Sequence, residues 1–535
     1  MPTTTSKPRR VGSGRPALVV AAGILGSRLV GLVRQRVIAH YFGLNTAAAD
    51  AWAAGFRIPN FLQNLFGEGA LSASFIPVYS SLLGRGQTRE ADRVAGAVAS
   101  ILTIAVSALV LIGVVTTPWL VGLIAPGFSG DRRELTISVV RILFPGAGLL
   151  VLSAWCLGIL NSHERFLLSY AAPIVWSAAM IVALIWYGPS TTLPRLVEIL
   201  AWGSVVGSVL VFAIQIPVVL LVAPHLHFAP DPSLEEVRTV AKNFVPAVFS
   251  RGVVQVSAYI DTLIASLLPT GAVAGLTSAQ TIYMLPISLF GMAITAAELP
   301  AMARATGADA IDAGALAMRV DAGVRRMAFF VVPSAVGFLA LGDVIAAALL
   351  QTGRFERADS VYVWGILAGS AIGLLASTVG RLYASTFYAL RDTRTPLRYA
   401  VVRVAVAMVI GYIAALHVPG LLGVNALWGA AGLTAASGVA GWVEMLLLRR
   451  ALHRRIGRTK PLWDVLLRLW VAAGFAAAVA WVIKLQLPAL HPIFIAGAVL
   501  APYGAVFLMG AAALKVPEAW SLLSTRDPNR HELRS

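Results

Sequence analysis

The chain has 535 residues, 58% of them hydrophobic and 13% charged, with a mean hydropathy of +0.79. Soluble domains carry about half apolar and about 25% charged residues, so this composition excludes an ordinary water-soluble fold and describes a polytopic membrane protein. The net charge of +17 is scattered over short polar stretches and is not gathered with stacking aromatics on one domain, which excludes nucleic acid as a partner.

A spanning helix needs about 20 mostly apolar residues. Cutting the chain at its polar, Gly and Pro clusters predicts an all-α membrane protein of about fourteen spans: 17–41, 47–83, 94–122, 135–160, 166–187, 196–222, 239–268, 272–304, 322–350, 360–390, 397–416, 422–448, 464–486 and 491–514. Lys7, Arg9, Arg10 and Arg15 imitate the basic start of a signal peptide. Arg28 and Arg34 then interrupt the apolar run and no small-residue cleavage site follows, so the first helix is expected to be retained. The second, eighth and ninth spans are long enough to kink. Cys156, the only cysteine, lies in an apolar run and is expected in the core.

Basic residues in short loops set the orientation. They concentrate in alternate loops: Arg85, Arg89 and Arg93; Arg165; Arg238 and Lys242; Arg304 and Arg319; Arg391, Arg394 and Arg398; and the run from Arg449 to Lys460. That asymmetry predicts an even helix count, with both termini cytoplasmic. An internal echo recurs at a little over 220 residues, pairing Ser27-Arg28 with Ser250-Arg251 and Pro59 with Pro286. It predicts two pseudo-symmetric six-helix lobes. The expected organisation is a tail (1–16), a first lobe (17–222), a cytoplasmic linker (223–238), a second lobe (239–448), a basic linker (449–463), two appended helices (464–514) and a disordered tail (515–535).

Enzyme signals are absent: no GxxxxGK[ST] loop, no H-E-x-x-H, no G-x-S-x-G and no CxxC. His225 and His227 stand two apart in a loop, a spacing that suits a solvated pair better than a metal site. A transporter without metal or cofactor is expected.

The informative chemistry is charge inside the membrane. Between Ser27 and Ser80 the apolar run carries Arg28, Arg34, Arg36, Asp50, Arg57, Asn60, Gln63, Asn64 and Glu68. A charge in hydrocarbon costs at least about 2.5 kcal/mol, so these side chains must face something polar, a water-filled cavity being the economical choice. A guanidinium stays ionised and matches phosphate oxygens in bidentate fashion. Arg28 and Arg34, with Ser27, Asn60, Arg57 and, from the second lobe, Arg251, are therefore candidates to bind an anionic headgroup. Asp50, Glu68 and Asp261 are candidate counter-ions or gating groups.

Ser27-Arg28-Leu29-Val30-Gly31 with Arg34, Arg57-Ile58-Pro59-Asn60, Glu68-Gly69-Ala70-Leu71-Ser72 and Phe387 to Pro396 resemble the MurJ/MviN family of lipid II flippases, over roughly residues 17–515. The resemblance implies the multidrug/oligosaccharidyl-lipid/polysaccharide exporter fold, with two six-helix lobes in a V and a groove for a lipid tail at the last two helices. It also implies a cationic cavity for the diphosphate of lipid II. Its implied partners are lipid II, membrane lipids and proteins of cell-wall synthesis or division. The family's arginine positions at Arg28 and Arg34 are kept, while two further cavity arginines of the family are Gln63 and Thr281 here. That departure keeps three alternatives in view: a flippase for another polyprenyl-linked glycan, a drug/cation antiporter, and a transport-inactive scaffold.

Overall fold

A computed structural model describes residues 14–523 of the chain, apart from 166, 296–297, 299–301, 303–312, 458–462 and 489. Residues 1–13, 458–462 of the basic linker and 524–535 lie outside the described residues, as do the side chains of Glu68 and Arg251. The start of the expected disordered tail is described and is ordered: Pro517–Leu523 is helical, with Val516 and Ala519 buried. The described residues are helical, without a named strand.

In chain order the helices are α1 (Gly14–Phe42), α2 (Ala47–Phe66), α3 (Glu68–Gly84), α4 (Thr88–Ile124), α5 (Gly130–Ser162), α6 (Leu167–Tyr187), α7 (Leu193–Val222), α8 (Glu235–Ser266) and α9 (Ala272–Pro286). Then come α10 (Ala313–Leu350), α11 (Arg357–Ala371), α12 (Leu374–Ala389), α13 (Arg394–Leu416), the short α14 (Val418–Leu422), α15 (Gly429–Ile456), α16 (Trp463–Gln486), α17 (Pro492–Ala513) and α18 (Pro517–Leu523). Each predicted span is met by one or two of them. Among the described residues nine helical stretches are long and apolar enough to cross a bilayer, ten if the bent pair α11 and α12 is one span. Helices α1, α2, α3, α6 and α8 are not among those nine.

Two of the long spans break for visible reasons. The predicted span 47–83 divides at Gly67, where a Cβ would stand 2.3 Å from the Gln63 carbonyl oxygen, so only glycine allows α3 to leave α2 at that angle. Helices α11 and α12 meet at 45° around Gly373, whose Cβ would lie 2.4 Å from the Gly438 Cα of α15. Beyond Pro286, α9 runs on through a π-helical turn, Ile287–Met292.

The chain forms two compact units. The first contains the described residues of Met1–Tyr41, Ala54–Leu123 and Ser129–Val256; the second contains Phe42–Ala53, Ile124–Phe128 and the described residues of Ser257–Ser535. Within the first unit, α5 packs on α7 and α3, and α6 packs on α7. Phe75, Tyr79, Trp155 and Cys156 fill its core, and the Trp155 indole donates to the Ala95 carbonyl at 3.2 Å. Within the second unit, α10 carries α11, α12, α16 and α17, and α15 packs against α11, α12 and α13. Three polar contacts dock α16 and α17 on α10: Trp481 Nε1 to the Ala340 carbonyl at 2.7 Å, Lys484 to Asp343 at 2.6 Å and the Tyr503 hydroxyl to the Pro333 carbonyl at 2.6 Å.

Two helices end alike. Helix α5 closes on Glu164 with φ 59°, the Arg165 N–H returning to the Leu160 carbonyl at 2.8 Å. Helix α12 closes on Arg391 with φ 58°, the Asp392 N–H returning to the Phe387 carbonyl at 2.9 Å. These are the same left-handed C-terminal turn. Outward faces are apolar, as on α4, where Leu111, Val115 and Trp119 are exposed. A lipid-facing surface looks like this.

Candidate functional site

Helix α2 places three amides on one face. Asn60, Gln63 and Asn64 follow the spacing i, i+3, i+4, which stacks side chains on a helix surface. They line a cavity of about 600 Å³ within the first unit, together with Arg34 of α1, Phe56, Ser72 of α3, Ser153 of α5 and Trp176 of α6. The break at Gly67 lets α3 turn so that Ser72 shares this wall.

Among the described residues Arg34 is the one cationic side chain in that lining. Its Nη1 donates to Ser177 Oγ at 3.3 Å, and its guanidinium carbon lies 4.7 Å from the Trp176 ring centroid. Trp176 is fixed in turn, its indole N–H donating to the Ser204 carbonyl at 3.1 Å and reaching Ser204 Oγ at 3.2 Å. Phe56 packs beside it, 5.8 Å between centroids. These contacts to Arg34 are neutral ones. They orient the cation without discharging it, and an oriented guanidinium beside three amides can grip a phosphate-bearing group.

The other predicted site residues divide. Asn60 lines the Arg34 cavity; Ser27, Arg28 and Arg57 are not part of its lining, and Arg28 is exposed on the first unit. The six-residue spacing of Arg28 and Arg34 puts them about 120° apart on a straight helix, which accounts for their separate surroundings. Asp50 is fully buried, and its carboxylate accepts the backbone N–H groups of Gly271 and Ala274, each at 2.9 Å. It caps α9, one oxygen on each of these N–H groups. Asp261 accepts from Ser437 Oγ at 3.3 Å, and the Thr281 hydroxyl donates to the Thr277 carbonyl of its own helix at 3.0 Å. Arg403 of α13 pairs with Glu444 of α15 at 3.2 Å. The His225 N–H donates to Asp92 at 3.0 Å, a loop anchor.

Trp176, Ser177, Phe56 and Ser153 were not foreseen. They sit in apolar runs, where a tryptophan beside a serine has no pattern that separates a cavity wall from helix packing.

The family model described as lipid II flippase MurJ matches residues 38–499. The chain belongs to the MurJ family. It is 32% identical over 473 residues to the lipid II flippase MurJ of Burkholderia cenocepacia, covering 87% of this chain and 88% of that protein. It is likewise 32% identical over 475 residues to a probable lipid II flippase MurJ of Rhizobium meliloti, covering 86% and 85%. Among solved structures, the inward closed conformation of lipid II flippase MurJ superposes with a TM-score of 0.77 at 21% identity, covering 95% of this chain and 99% of the other. An inward-facing multidrug transporter of the MATE family, in the MOP superfamily, gives 0.65 at 18% identity over 83% and 99%. The fold is thus that of MurJ, shared with this MATE-family transporter, and the chain is an integral multi-pass membrane protein.

Proposed function

We propose that this chain is a lipid II flippase, carrying an undecaprenyl-diphosphate-linked peptidoglycan precursor from the inner to the outer leaflet of the plasma membrane. The observation that carries the reading is the Arg34 cavity: a cation inside an apolar helical unit, partnered by a hydroxyl and an aromatic face. A diphosphate is excluded from hydrocarbon by its charge, and a membrane-embedded guanidinium with amides around it offers a substitute for water. Asn60, Gln63 and Asn64 supply neutral donors and acceptors suited to phosphate oxygens and to the polar groups beyond them. The alternation of basic loops supports a cytoplasmic position for both termini. The chain has no P-loop, so transport draws on an ion gradient, the membrane potential or removal of the product by cell-wall synthesis. The cavity opens to one leaflet and then the other.

The test is complementation of a bacterium depleted of its own flippase, with outer-leaflet lipid II followed during depletion. Rescue by the natural chain, and its loss with Arg34→Ala at equal expression, supports the reading. A well-inserted chain that fails to rescue overturns it for lipid II. Because Gln63 and Thr281 leave fewer cations than the family pattern, that result directs attention to another polyprenyl-diphosphate-linked glycan.

A further inference from the structure

We infer that Trp176 is a positioning residue for the diphosphate: it holds the Arg34 guanidinium in the empty cavity and releases it when the anion arrives. This rests on the proposed flippase reading. An arginine within a membrane protein ordinarily needs a partner, and a carboxylate is the usual one. A carboxylate would also compete with the substrate for the same guanidinium. Among the described residues Arg34 instead lies 4.7 Å from the Trp176 ring centroid, with a 3.3 Å hydrogen bond to the Ser177 hydroxyl beside it. Both contacts are weaker than a charge-assisted pair with an anion, so a diphosphate outcompetes them.

The architecture behind Trp176 fits that role. Its indole N–H is committed to the carbonyl and hydroxyl of Ser204 on α7, at 3.1 and 3.2 Å, so the ring is locked to its neighbouring helix and not to Arg34. Gly207, one turn along α7, allows this approach, since a Cβ there would stand 2.9 Å from the Trp176 ring. Phe56 of α2 braces the indole from within the cavity wall. The aromatic face therefore stays in place while the guanidinium moves. The asymmetry is what a holding surface requires.

The experiment uses the full-length chain in nanodiscs and a short-chain polyprenyl diphosphate as probe, in natural, Trp176→Phe, Trp176→Leu and Arg34→Ala forms. Tryptophan emission and probe affinity are both recorded. The expected results are an emission change on probe binding that is absent in Trp176→Phe, an affinity about tenfold weaker in Trp176→Leu, and partial recovery in Trp176→Phe, whose ring still offers a π face. Natural and Trp176→Leu forms that bind the probe equally well overturn the positioning role and leave the flippase reading standing. So does a probe-induced emission change that survives in Trp176→Phe. A natural chain that does not bind the probe, while correctly inserted, overturns the flippase reading and the positioning role with it. Retention of the natural melting temperature by Trp176→Leu excludes a collapsed fold as the cause of its weaker binding; Trp176→Phe, which keeps an aromatic face but loses the bond to Ser204, must show the intermediate affinity.

Discussion

The Asp50 carboxylate accepts the backbone N–H of Gly271 at 2.9 Å, across 221 residues of sequence. Together with the Ala274 N–H it supplies α9 with a cap from a different helix. The first turn of a helix leaves N–H groups without partners, and a negative charge there also meets the positive end of the helix dipole. Removing the carboxylate leaves two buried donors unsatisfied, each costing about 1–3 kcal/mol. Asp50→Ala should therefore destabilise the protein by about 2–5 kcal/mol, and Asp50→Asn, which keeps one acceptor oxygen, by roughly half as much. Thermal unfolding in detergent checks both, and an unchanged midpoint in Asp50→Ala contradicts the cap.

Asp392 gives a pH prediction. Its carboxylate accepts the backbone N–H of Thr395 at 3.0 Å and the Thr395 hydroxyl at 2.8 Å, and Arg455 lies 3.1 Å away. These bonds, Thr395 foremost, hold Asp392 below the usual carboxylate range. A depressed carboxylate stabilises the fold above its unfolded pKa of about 3.9 and loses that contribution as pH falls through the folded value. Asp392→Asn should lower the midpoint at neutral pH, and the gap to the natural chain should close in acid below about pH 4. A gap that persists unchanged in strong acid refutes the assignment.

The contact of Gly373 with Gly438 predicts a steric effect. A Cβ on Gly438 would stand 2.8 Å from the Gly373 backbone nitrogen, with no flexible side chain to give way. Gly438→Val should push α15 from the α11–α12 bend and cost about 1–3 kcal/mol, the usual range for overpacking. Reduced expression and a lower unfolding midpoint are the readouts. A valine accommodated at no cost shows the contact to be looser than drawn.

Gln63 lines the same cavity as Arg34 without charge. Gln63→Arg should strengthen binding of a lipid diphosphate and steepen the loss of affinity with added salt, because a second exchangeable cation joins the site. Titration at low and high ionic strength checks this. A weaker or salt-independent response means that the anion does not reach α2.

The helices were legible because a bilayer imposes one requirement, some twenty apolar residues with every backbone group bonded internally, and hydropathy reports it directly. The span 47–83 shows the limit: its length was readable, while its break required knowing that a Cβ at position 67 meets the Gln63 carbonyl. Asn60, Gln63 and Asn64 were legible as polar groups that must leave lipid; their sharing of one cavity wall came from the structure. The fates of Arg34, Arg28 and Asp50 were not. All three stand in one polar-studded stretch, yet Arg34 turns to a cavity, Arg28 is exposed and Asp50 is committed to α9. Those outcomes depend on which distant helix arrives next to each residue. Trp176 is the sharpest case, since its meaning comes wholly from the guanidinium above it.

The most direct measurement is transbilayer movement of lipid II in liposomes holding the purified chain, with Arg34→Lys and Arg34→Ala beside the natural form. The account predicts movement by the natural chain, reduced movement with Arg34→Lys, which keeps the charge but loses the planar fork, and none above the lipid background with Arg34→Ala. Undiminished movement by Arg34→Ala contradicts it.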